Sequence, residues 1–377
     1  MIIFVAQRIG GGMDLEFSEE ERLLRDSLAR FLAQQLPFEK RRAMRGAEAQ
    51  LAAWREVDAA IGVGAAPLPE RIGGFGGGRV AATIVAEELG AALAVTPFID
   101  CHILSATLLL ALGEEARVGA IARGDALVVT AIEEPQTRGD IAAIRTRAEP
   151  APDGWTLTGH KIAVPFAAEA SDIILPARDQ GGRLRLFLLP AASLCDKLHT
   201  YRTIDDAPAA DLLLDGLWVS RASEIGAGQD GEAALAAAVE AAVAALCAEA
   251  AGLARVLLDD TLGYTRQRRQ FGQPLSSFQA LQHRMVDMLL LREQISAAAL
   301  LAALKPGDAR ASAAAKATAN EAIRQIGQEA VQLHGAMGMT EELRVGHYFK
   351  RATAIEQRLG TSDAHVARYA AEMKRAG

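Results

Sequence analysis

The most constraining feature of this 377-residue chain is that the spacing of its apolar residues changes on either side of its middle part. Residues 14–125 and the residues after Gly231 carry apolar side chains at helical spacing, which is typical of amphipathic and buried helices. Between them, short apolar runs are separated by Gly, Pro and Asp, as expected of strands joined by turns. The sequence therefore predicts a mainly α protein with a central β-domain. The runs that predict strands are residues 127–129, 155–158, 173–175, 184–188 and 211–214.

We predict three structural units, at residues 14–125, 126–225 and 226–377. Half of the residues are hydrophobic, so a chain of this length can bury the cores that two or three units need. Ser18 and Glu21 form a capping-box pair, which predicts the start of the first helix. The helices expected in the last unit cover residues 232–268, 277–304, 308–334, 340–358 and the residues from 362 to the end.

Charge and cysteine usage narrow the functional class. The chain has 40 basic and 47 acidic residues, whereas a nucleic-acid-binding surface would show a basic excess. Its cysteines, Cys101, Cys195 and Cys247, are widely spaced, and its seven histidines form no His-Glu-x-x-His motif. We therefore expect no nucleic-acid partner, no disulfide framework, no metal site and a reducing compartment, the cytoplasm.

An alanine-rich stretch at residues 233–258 resembles a membrane span in length. Glu240, Glu249 and Arg255 interrupt it, and charged side chains are costly inside a bilayer. The stretch therefore predicts a buried bundle helix, with no membrane association.

The amino terminus is apolar for a few residues and is then stopped by Gln7 and Arg8. That run is too short for a secretory core or a membrane span. Either Met1 or Met13 could be the start. Met13 opens a polar segment that leads into the first helix, and this favours residues 1–12 as the product of an upstream start site.

Three motifs in the last unit occur in a characteristic order. Residues 264–275 read Tyr-Thr-Arg-Gln-Arg-Arg-Gln-Phe-Gly-Gln-Pro-Leu, residues 332–338 read Gln-Leu-His-Gly-Ala-Met-Gly, and residues 354–362 read Ala-Ile-Glu-Gln-Arg-Leu-Gly-Thr-Ser. They resemble the Tyr-x-x-x-Arg-x-Gln-Phe-Gly, Gln-x-x-Gly-Gly-x-Gly and flavin-proximal Gly-Thr-Ser segments of the acyl-CoA dehydrogenases. Residues 131–140 are a weaker echo of that family's Thr-Glu-Pro segment, so the resemblance extends over most of the chain.

The resemblance implies an amino-terminal helical domain, a middle β-barrel domain and a carboxy-terminal helical bundle. It also implies FAD, an acyl-CoA substrate, and electron-transferring flavoprotein as the electron acceptor. Arg268 taken alone would be a solvated cation at a helix end, where it favours the helix dipole. Within the motif, its guanidinium matches two oxygens of the FAD pyrophosphate of a neighbouring subunit. The other cofactor contacts implied are Phe271, Gln279, Gln332, Leu333, Gly335, Ala336, Thr361 and Asp363.

The catalytic base of the resembling family is absent from its usual positions. Leu359 stands where the family commonly has the glutamate that removes the substrate's α-proton, and a hydrocarbon cannot act as a base. Ala242 stands at the alternative position, on the first helix of the bundle. Glu240, Glu249 and Asp363 remain as weak candidates. Two residues of helix turn Glu240 about 200° away from Ala242, and seven place Glu249 about 10 Å along the axis.

The flavin-ring side also departs from the family. Glu133 replaces the threonine of the Thr-Glu-Pro segment, Gly139 replaces its serine, and Pro165 stands where a threonine often contacts the ring. Proline has neither a hydroxyl nor an N–H group to offer. These changes put the ring contacts of this subunit in doubt.

Three functional hypotheses follow. The first is an acyl-CoA dehydrogenase subunit that grips FAD across an interface and works with a catalytic homologue in a heterotetramer. That division of labour resembles the heteromeric enzymes of bacterial steroid side-chain degradation. The second is a self-sufficient homo-oligomeric dehydrogenase with a relocated base, and the third is a non-enzymatic scaffold. A yellow purified protein would exclude the third.

Overall fold

The computed structural model describes the backbone of residues 7–9, 12–14 and 17–376, and the side chains of residues 17–375. Met1, one of the two possible starts, lies outside the described residues. The chain forms two compact units. One is helical and contains the residues up to Ala43, Thr83–Ala94 and those from Val243 onward, and the other contains Met44–Ala82 and Val95–Ala242. The division at 14–125, 126–225 and 226–377 stays a prediction.

Helices dominate the first and last parts of the described chain, as the sequence predicts. A π-helix at Phe98–Ser105 lies between two of them. The α-helices are α1 (Glu19–Gln35), α2 (Phe38–Ala43), α3 (Ala47–Ile61), α4 (Gly78–Ala91), α5 (Ala106–Ala111), α6 (Glu115–Ala122), α7 (Gly231–Gln267), α8 (Gln279–Leu304), α9 (Ala309–His334), α10 (Arg344–Gln357) and α11 (Ser362–Ala376).

The strands are mostly in the middle of the chain, where the short apolar runs predict them. A separate pair precedes the first helix and another follows α7. They are β1 (Gln7–Ile9), β2 (Gly12–Asp14), β3 (Val128–Thr130), β4 (Arg147–Ala151), β5 (Gly154–Pro165), β6 (Asp172–Arg178), β7 (Leu184–Pro190), β8 (Leu198–Arg202), β9 (Pro208–Ser220), β10 (Glu224–Ile225), β11 (Arg269–Gln270) and β12 (Gln273–Pro274).

The capping box at the start of α1 is present. The backbone N–H of Glu21 donates to Ser18 Oγ at 3.2 Å, and the backbone N–H of Ser18 donates to Glu21 Oε2 at 2.8 Å. These two bonds satisfy amides that have no partner inside the helix. The predicted start of the first helix is confirmed.

The central β-domain is one sheet in the order β10-β7-β6-β4-β5-β9-β8, with β3 added parallel to β6. Its inward side chains, among them Leu157, Ile173, Phe187 and Leu212, are fully buried. Trp155 packs edge-on against Phe187, with ring centroids 6.0 Å apart. The fold class, mainly α with a central β-domain, is confirmed.

The long helix α7 is the core of the helical unit. Its length and composition would suffice to cross a membrane, yet 89% of its most apolar window is buried inside the protein. Part of it lies directly against α4, because a Cβ on Gly252 would stand 1.9 Å from the carbonyl oxygen of Glu87. Only glycine permits this approach. The stretch is thus a core helix, as predicted.

One buried carboxylate links three helices of this unit. Glu88 on α4 accepts hydrogen bonds from Arg25 of α1 at 3.1 Å and from Arg255 of α7 at 2.7 Å. Buried charges are tolerated when they are paired in this way. The alignment of α1, α4 and α7 therefore has a polar as well as an apolar basis.

The β-domain contains a buried ion pair of its own. Lys161 on β5 is fully buried and donates to Glu134 Oε1 at 2.6 Å. Thr146 and the backbone N–H of Arg145 donate to the same carboxylate. Burial alone would raise the pKa of Glu134, but Lys161 and these hydrogen bonds lower it to about 2.

We expect Lys161→Met to lower the free energy of unfolding by about 3 kcal/mol, because it leaves a buried carboxylate without its cation. The stabilisation from Glu134 is complete above its ordinary pKa of 4.5 and is lost as the pH falls towards 2. The deficit of the variant should therefore be larger at neutral pH than near pH 3. Denaturant unfolding at both pH values measures it.

Lys197→Met is the matched control in the same unit, since Lys197 makes an exposed ion pair with Asp196. Exposed pairs contribute little to stability. Equal effects of the two substitutions would contradict the assignment of the Lys161–Glu134 pair as a structural element.

Candidate functional site

The Arg-x-Gln-Phe-Gly motif forms a hairpin rather than a helix end. Helix α7 stops at Gln267, and β11 pairs with β12 so that Phe271 and Gly272 form the turn. Both have positive φ, 52° and 81°, as a two-residue type I′ hairpin requires. The helix thus ends within one residue of the expected Arg268. A continuation of the helix to Gly272 is excluded, because two consecutive left-handed residues fit a turn and not a helix.

The side chain of Phe271 is 89% exposed at the tip of this hairpin. It contacts the ring of Phe278 edge-on, with centroids 6.0 Å apart. A bulky side chain in the left-handed region is strained, and such strain is concentrated at functional sites. The hairpin therefore exposes the apolar ring of Phe271, and contact with water alone does not favour that position of the ring.

Polar side chains from three chain segments accompany the hairpin in the same unit. Arg268 is exposed directly after α7, with its backbone N–H bonded to the carbonyl of Tyr264 at 2.8 Å. Gln279 is exposed at the first position of α8, and Gln332 is exposed in the last turn of α9. A guanidinium and two amides supply hydrogen-bond donors suited to phosphate and polar nucleotide groups.

An aromatic stack joins the two motifs. The ring of Tyr264 lies on the ring of His334 with centroids 4.4 Å apart and an interplanar angle of 27°. It packs the end of α7 against the end of α9. The arginine motif and the glutamine-glycine motif are thus neighbours, as the resemblance implies.

The glycine motif ends α9. Gly335 has φ 62° and ψ −144°, and residues Gly335–Met339 continue as a 3₁₀ turn. Leu333 is buried, whereas Ala336 is exposed. Helix α10 consequently begins at Arg344 and not near Thr340, which is a further correction to the predicted boundaries.

A cavity of about 720 Å³ lies in the helical unit, and Tyr264 and His334 form part of its wall. Acidic side chains, including Asp259 and Glu342, dominate its charged lining. Its arginine, Arg344, forms an ion pair with Asp260. Negative charge disfavours a phosphate, so the exposed hairpin is the better nucleotide site.

Leu359 lies in a left-handed turn between α10 and α11. Its φ is 53°, its side chain is only 8% exposed, and its carbonyl accepts a hydrogen bond from Nε2 of His365 at 2.8 Å. Thr361 Oγ1 accepts from the backbone N–H of Ala364 at 3.4 Å, while Asp363 is exposed in the first turn of α11. The position of the family's base is occupied by a buried hydrocarbon.

The alternative base positions are occupied in other ways. Ala242 is fully buried in α7. Glu240 is buried, and its charge raises the pKa of Arg79 against the larger opposing effect of burial. Glu249 receives two bonds from Arg351, at 2.6 and 2.9 Å, so taking a proton would break a buried ion pair. The geometry favours structural roles for both glutamates.

The loop that follows β3 carries an unusual carboxylate. Glu133 Oε2 accepts hydrogen bonds from Thr137 Oγ1 at 2.6 Å and from the backbone N–H of Gly139 at 3.3 Å. Its other oxygen, Oε1, is buried without a hydrogen-bond partner among the described residues. A buried unsatisfied oxygen is costly.

Pro165 closes strand β5 beside an irregular stretch. The β5–β9 register shifts between Lys161 and Val164, and both Ala163 and Phe166 have positive φ. Phe166 is buried, and its backbone N–H donates a hydrogen bond to the carbonyl of Pro208. This stretch offers few free donors.

The sequence analysis did not identify a pair of buried polar residues inside the helical unit. Lys316 and Asn320 are fully buried on α9, where they bond to the turn that contains Leu359. Their spacing of four residues, continued by the buried Ser312 four residues earlier, is the signal that could have identified them. Among the residues whose side chains are described, no group of three or more His, Cys, Asp or Glu could hold a metal ion.

Comparisons with known proteins agree with the motifs. Residues 18–118 match the acyl-CoA dehydrogenase N-terminal domain, and residues 230–374 match the acyl-CoA dehydrogenase C-terminal domain. Acyl-CoA dehydrogenase IpdE2 of Mycolicibacterium smegmatis is 32% identical over 362 residues, covering 94% of this chain and 99% of the relative. The human mitochondrial short-chain specific acyl-CoA dehydrogenase is 28% identical, covering 80% and 78%.

Solved structures agree as well. A variant of the Tcur3481-Tcur3483 steroid ACAD has a TM-score of 0.85 at 28% identity, covering 95% of this chain and 98% of that one. The ChsE4-ChsE5 complex from Mycobacterium tuberculosis shares the fold, with a TM-score of 0.82 at 24% identity over 95% and 98%. This chain therefore belongs to the acyl-CoA dehydrogenase family.

Proposed function

We propose that this chain is the cofactor-gripping subunit of a heteromeric acyl-CoA dehydrogenase whose partner subunit supplies the catalytic glutamate. The observation that carries the proposal is the buried, left-handed Leu359 at the position of the family's base. α,β-Dehydrogenation of an acyl-CoA needs a positioned carboxylate to take the α-proton. FAD, when bound, accepts the hydride.

The nucleotide end of FAD suits the residues of this chain. Arg268 offers a planar pair of donors to the pyrophosphate, and Phe271 offers an exposed ring beside it. Gln279 and Gln332 add amide donors, and Gly335 and Ala336 leave the main chain accessible. Leu333 supports this surface from the buried side. Thr361 and Asp363, at the start of α11, are further proposed contacts.

The ring end of FAD does not suit the ring-side residues of this chain. A flavin gains negative charge when it is reduced, and the Glu133 carboxylate, whose Oε1 has no hydrogen-bond partner in the described part of the chain, would oppose that charge. Thr137 and the amide of Gly139 already bond to Glu133. Pro165 has no donor. We infer that the ring is seated in the partner, with one FAD for each heterodimer.

The remaining assignments follow from the same proposal. The partner is a homologous subunit in a heterotetramer, the electron acceptor is electron-transferring flavoprotein, and the site of action is the cytoplasm. The likeness to a structure described as a steroid ACAD supports a steroid or lipid acyl-CoA as the substrate class.

A self-sufficient homo-oligomer is the second candidate function. It would need Glu240, Glu249 or Asp363 as a base. Asp363 is exposed, and Glu249 is held by Arg351 at both oxygens. A non-enzymatic scaffold is the third candidate, and the intact donor set around Arg268 weighs against it.

The purified chain alone should show no appreciable turnover of short-chain, long-chain or steroid CoA esters with an artificial electron acceptor. Loss of a positioned base costs about 10² to 10⁴ in rate. Robust turnover of any of these esters would defeat the partner-base proposal. In that case Glu240→Gln, Glu249→Gln and Asp363→Asn would locate the base.

Arg268→Ala should release FAD from the assembled oligomer while the apoprotein melts close to wild type. A charge-assisted contact with phosphate contributes about 1.5 to 3 kcal/mol, whereas an exposed arginine contributes little to folding. Flavin absorbance after gel filtration measures retention. Arg266→Ala, at an exposed position of the same helix end, is the matched control and should retain FAD. Equal retention in both variants would reject the assignment.

Co-expression with a homologue that carries the family's glutamate should give a heterotetramer with one FAD per heterodimer. FAD should raise its melting temperature, because a ligand that binds the folded assembly stabilises it. Native mass measurement and flavin quantitation provide the test. A stable homo-oligomer with one FAD per chain would contradict the heteromeric assignment.

A further inference from the structure

A buried polar cluster supports the turn between α10 and α11. Lys316 Nζ donates to the carbonyl of Ile355 at 2.7 Å and to Asn320 Oδ1 at 2.6 Å. Asn320 Nδ2 donates to the carbonyls of Glu356 and Gly360, both at 3.2 Å.

Together with the bond from His365 to the carbonyl of Leu359, side chains satisfy four carbonyls of one short segment. Ile355 and Glu356 lie in the last turn of α10, where carbonyls commonly lack partners inside the helix, although the Ile355 carbonyl also accepts from the backbone N–H of Arg358 at 3.2 Å. Water or a simple glycine cap could satisfy them at lower cost than a buried amine. We therefore infer that these side chains do more than satisfy carbonyls at the end of α10.

The segment is also strained. Leu359 is a branched residue with φ 53°, followed by Gly360 with φ 108°. Such a conformation costs about 1 to 3 kcal/mol and persists only when its surroundings enforce it. Lys316, Asn320 and His365 are fully or nearly fully buried, and they are the groups that enforce it.

We propose that Lys316, acting with Asn320 and His365, is a positioning residue that fixes the Ile355–Gly360 main chain and so sets Thr361 and Asp363 for the cofactor. The inference rests on the proposed function for the role of Thr361 and Asp363. The order imposed on the turn itself does not depend on that function.

The amine can do this without a charge. A neutral amine has two N–H groups, and Lys316 has two acceptors, Ile355 O and Asn320 Oδ1. No carboxylate hydrogen-bonds to Lys316 among the described residues. Burial lowers the pKa of Lys316 to about 8, so the amine loses its charge as the pH rises above 8, well below the ordinary value of 10.5.

Several ionisable groups face the amine. Cys247 and Glu249 approach from α7, Glu356 and Arg358 from the end of α10, and His365 from α11. Burial raises the pKa of Cys247 to about 11 and lowers that of His365 to about 4, so both are neutral near pH 7. Of the charged neighbours, Glu249 is paired with Arg351, and Glu356 and Arg358 act on the amine in opposite directions.

The test compares Lys316→Met, which removes both donors, with Lys316→Gln, which keeps two N–H donors without a charge. Ile295→Ala is the control, since Ile295 is fully buried on α8 and makes none of these bonds. The first readout is amide hydrogen exchange of residues 359–365 in the apo chain. We expect exchange about tenfold faster in Lys316→Met than in the control. Unchanged local exchange would overturn the proposal.

The second readout is FAD affinity in the assembly with the partner homologue. Lys316→Met should bind FAD about tenfold more weakly than wild type, and Lys316→Gln should recover most of the loss. Wild-type affinity in Lys316→Met would overturn the positioning role. A wild-type assembly that binds no FAD would instead defeat the proposed function, and hydrogen exchange would still decide whether Lys316 orders the turn.

The third readout is the pH dependence of stability. The folded chain releases the Lys316 proton near pH 8, and the unfolded chain does so near the ordinary value of 10.5. The unfolded state binds more protons between these values, so wild type should gain stability relative to Lys316→Gln as the pH rises through this window. A stability difference that stays constant over this window would contradict the release of the Lys316 proton near pH 8 in the folded chain. If Lys316→Met does not fold, Asn320→Ala takes its place, because it removes the bonds to Glu356 and Gly360.

Discussion

The stack of Tyr264 on His334 is the contact on which the candidate site depends. It packs the end of α7 against the end of α9 and so brings two separate motifs together. The exposed Arg268 and Phe271 follow α7, while Gln332 precedes His334 on α9. The stack therefore brings together the two chain segments that carry these exposed side chains.

The helical unit is rigid where the site needs it to be. Gly252 lets α7 contact α4, and Glu88 links both helices to α1. These contacts hold α7 in place, and so they also fix the position of the β11–β12 hairpin that follows its end. The proposed cofactor contacts lie at the ends of helices, and the buried middles of these helices support them.

Much of the fold could be predicted from sequence, because apolar periodicity and punctuation by Gly and Pro are local signals. The capping box at Ser18 and the strand runs of the β-domain are examples. The hairpin at Phe271 could not be predicted, because a phenylalanine with positive φ is disfavoured locally and is fixed by the pairing of β11 with β12. Lys316 was also missed, since a lysine is ordinarily exposed and only the tertiary structure shows the carbonyls that it meets.

The departures from the family pattern agree with one another. The base position holds Leu359, and the ring-side loop holds a carboxylate with an unsatisfied oxygen. Each change alone would be a local defect. Together they support the proposed division of the reaction, in which this chain binds the nucleotide end of FAD and a partner supplies the base and seats the ring.

A structure of the FAD-loaded assembly tests this division most directly. Density for FAD should place its pyrophosphate against Arg268 of this chain and its ring in the partner subunit, away from Glu133 and Pro165. A flavin ring seated beside Glu133 and Pro165 of this chain would contradict the account.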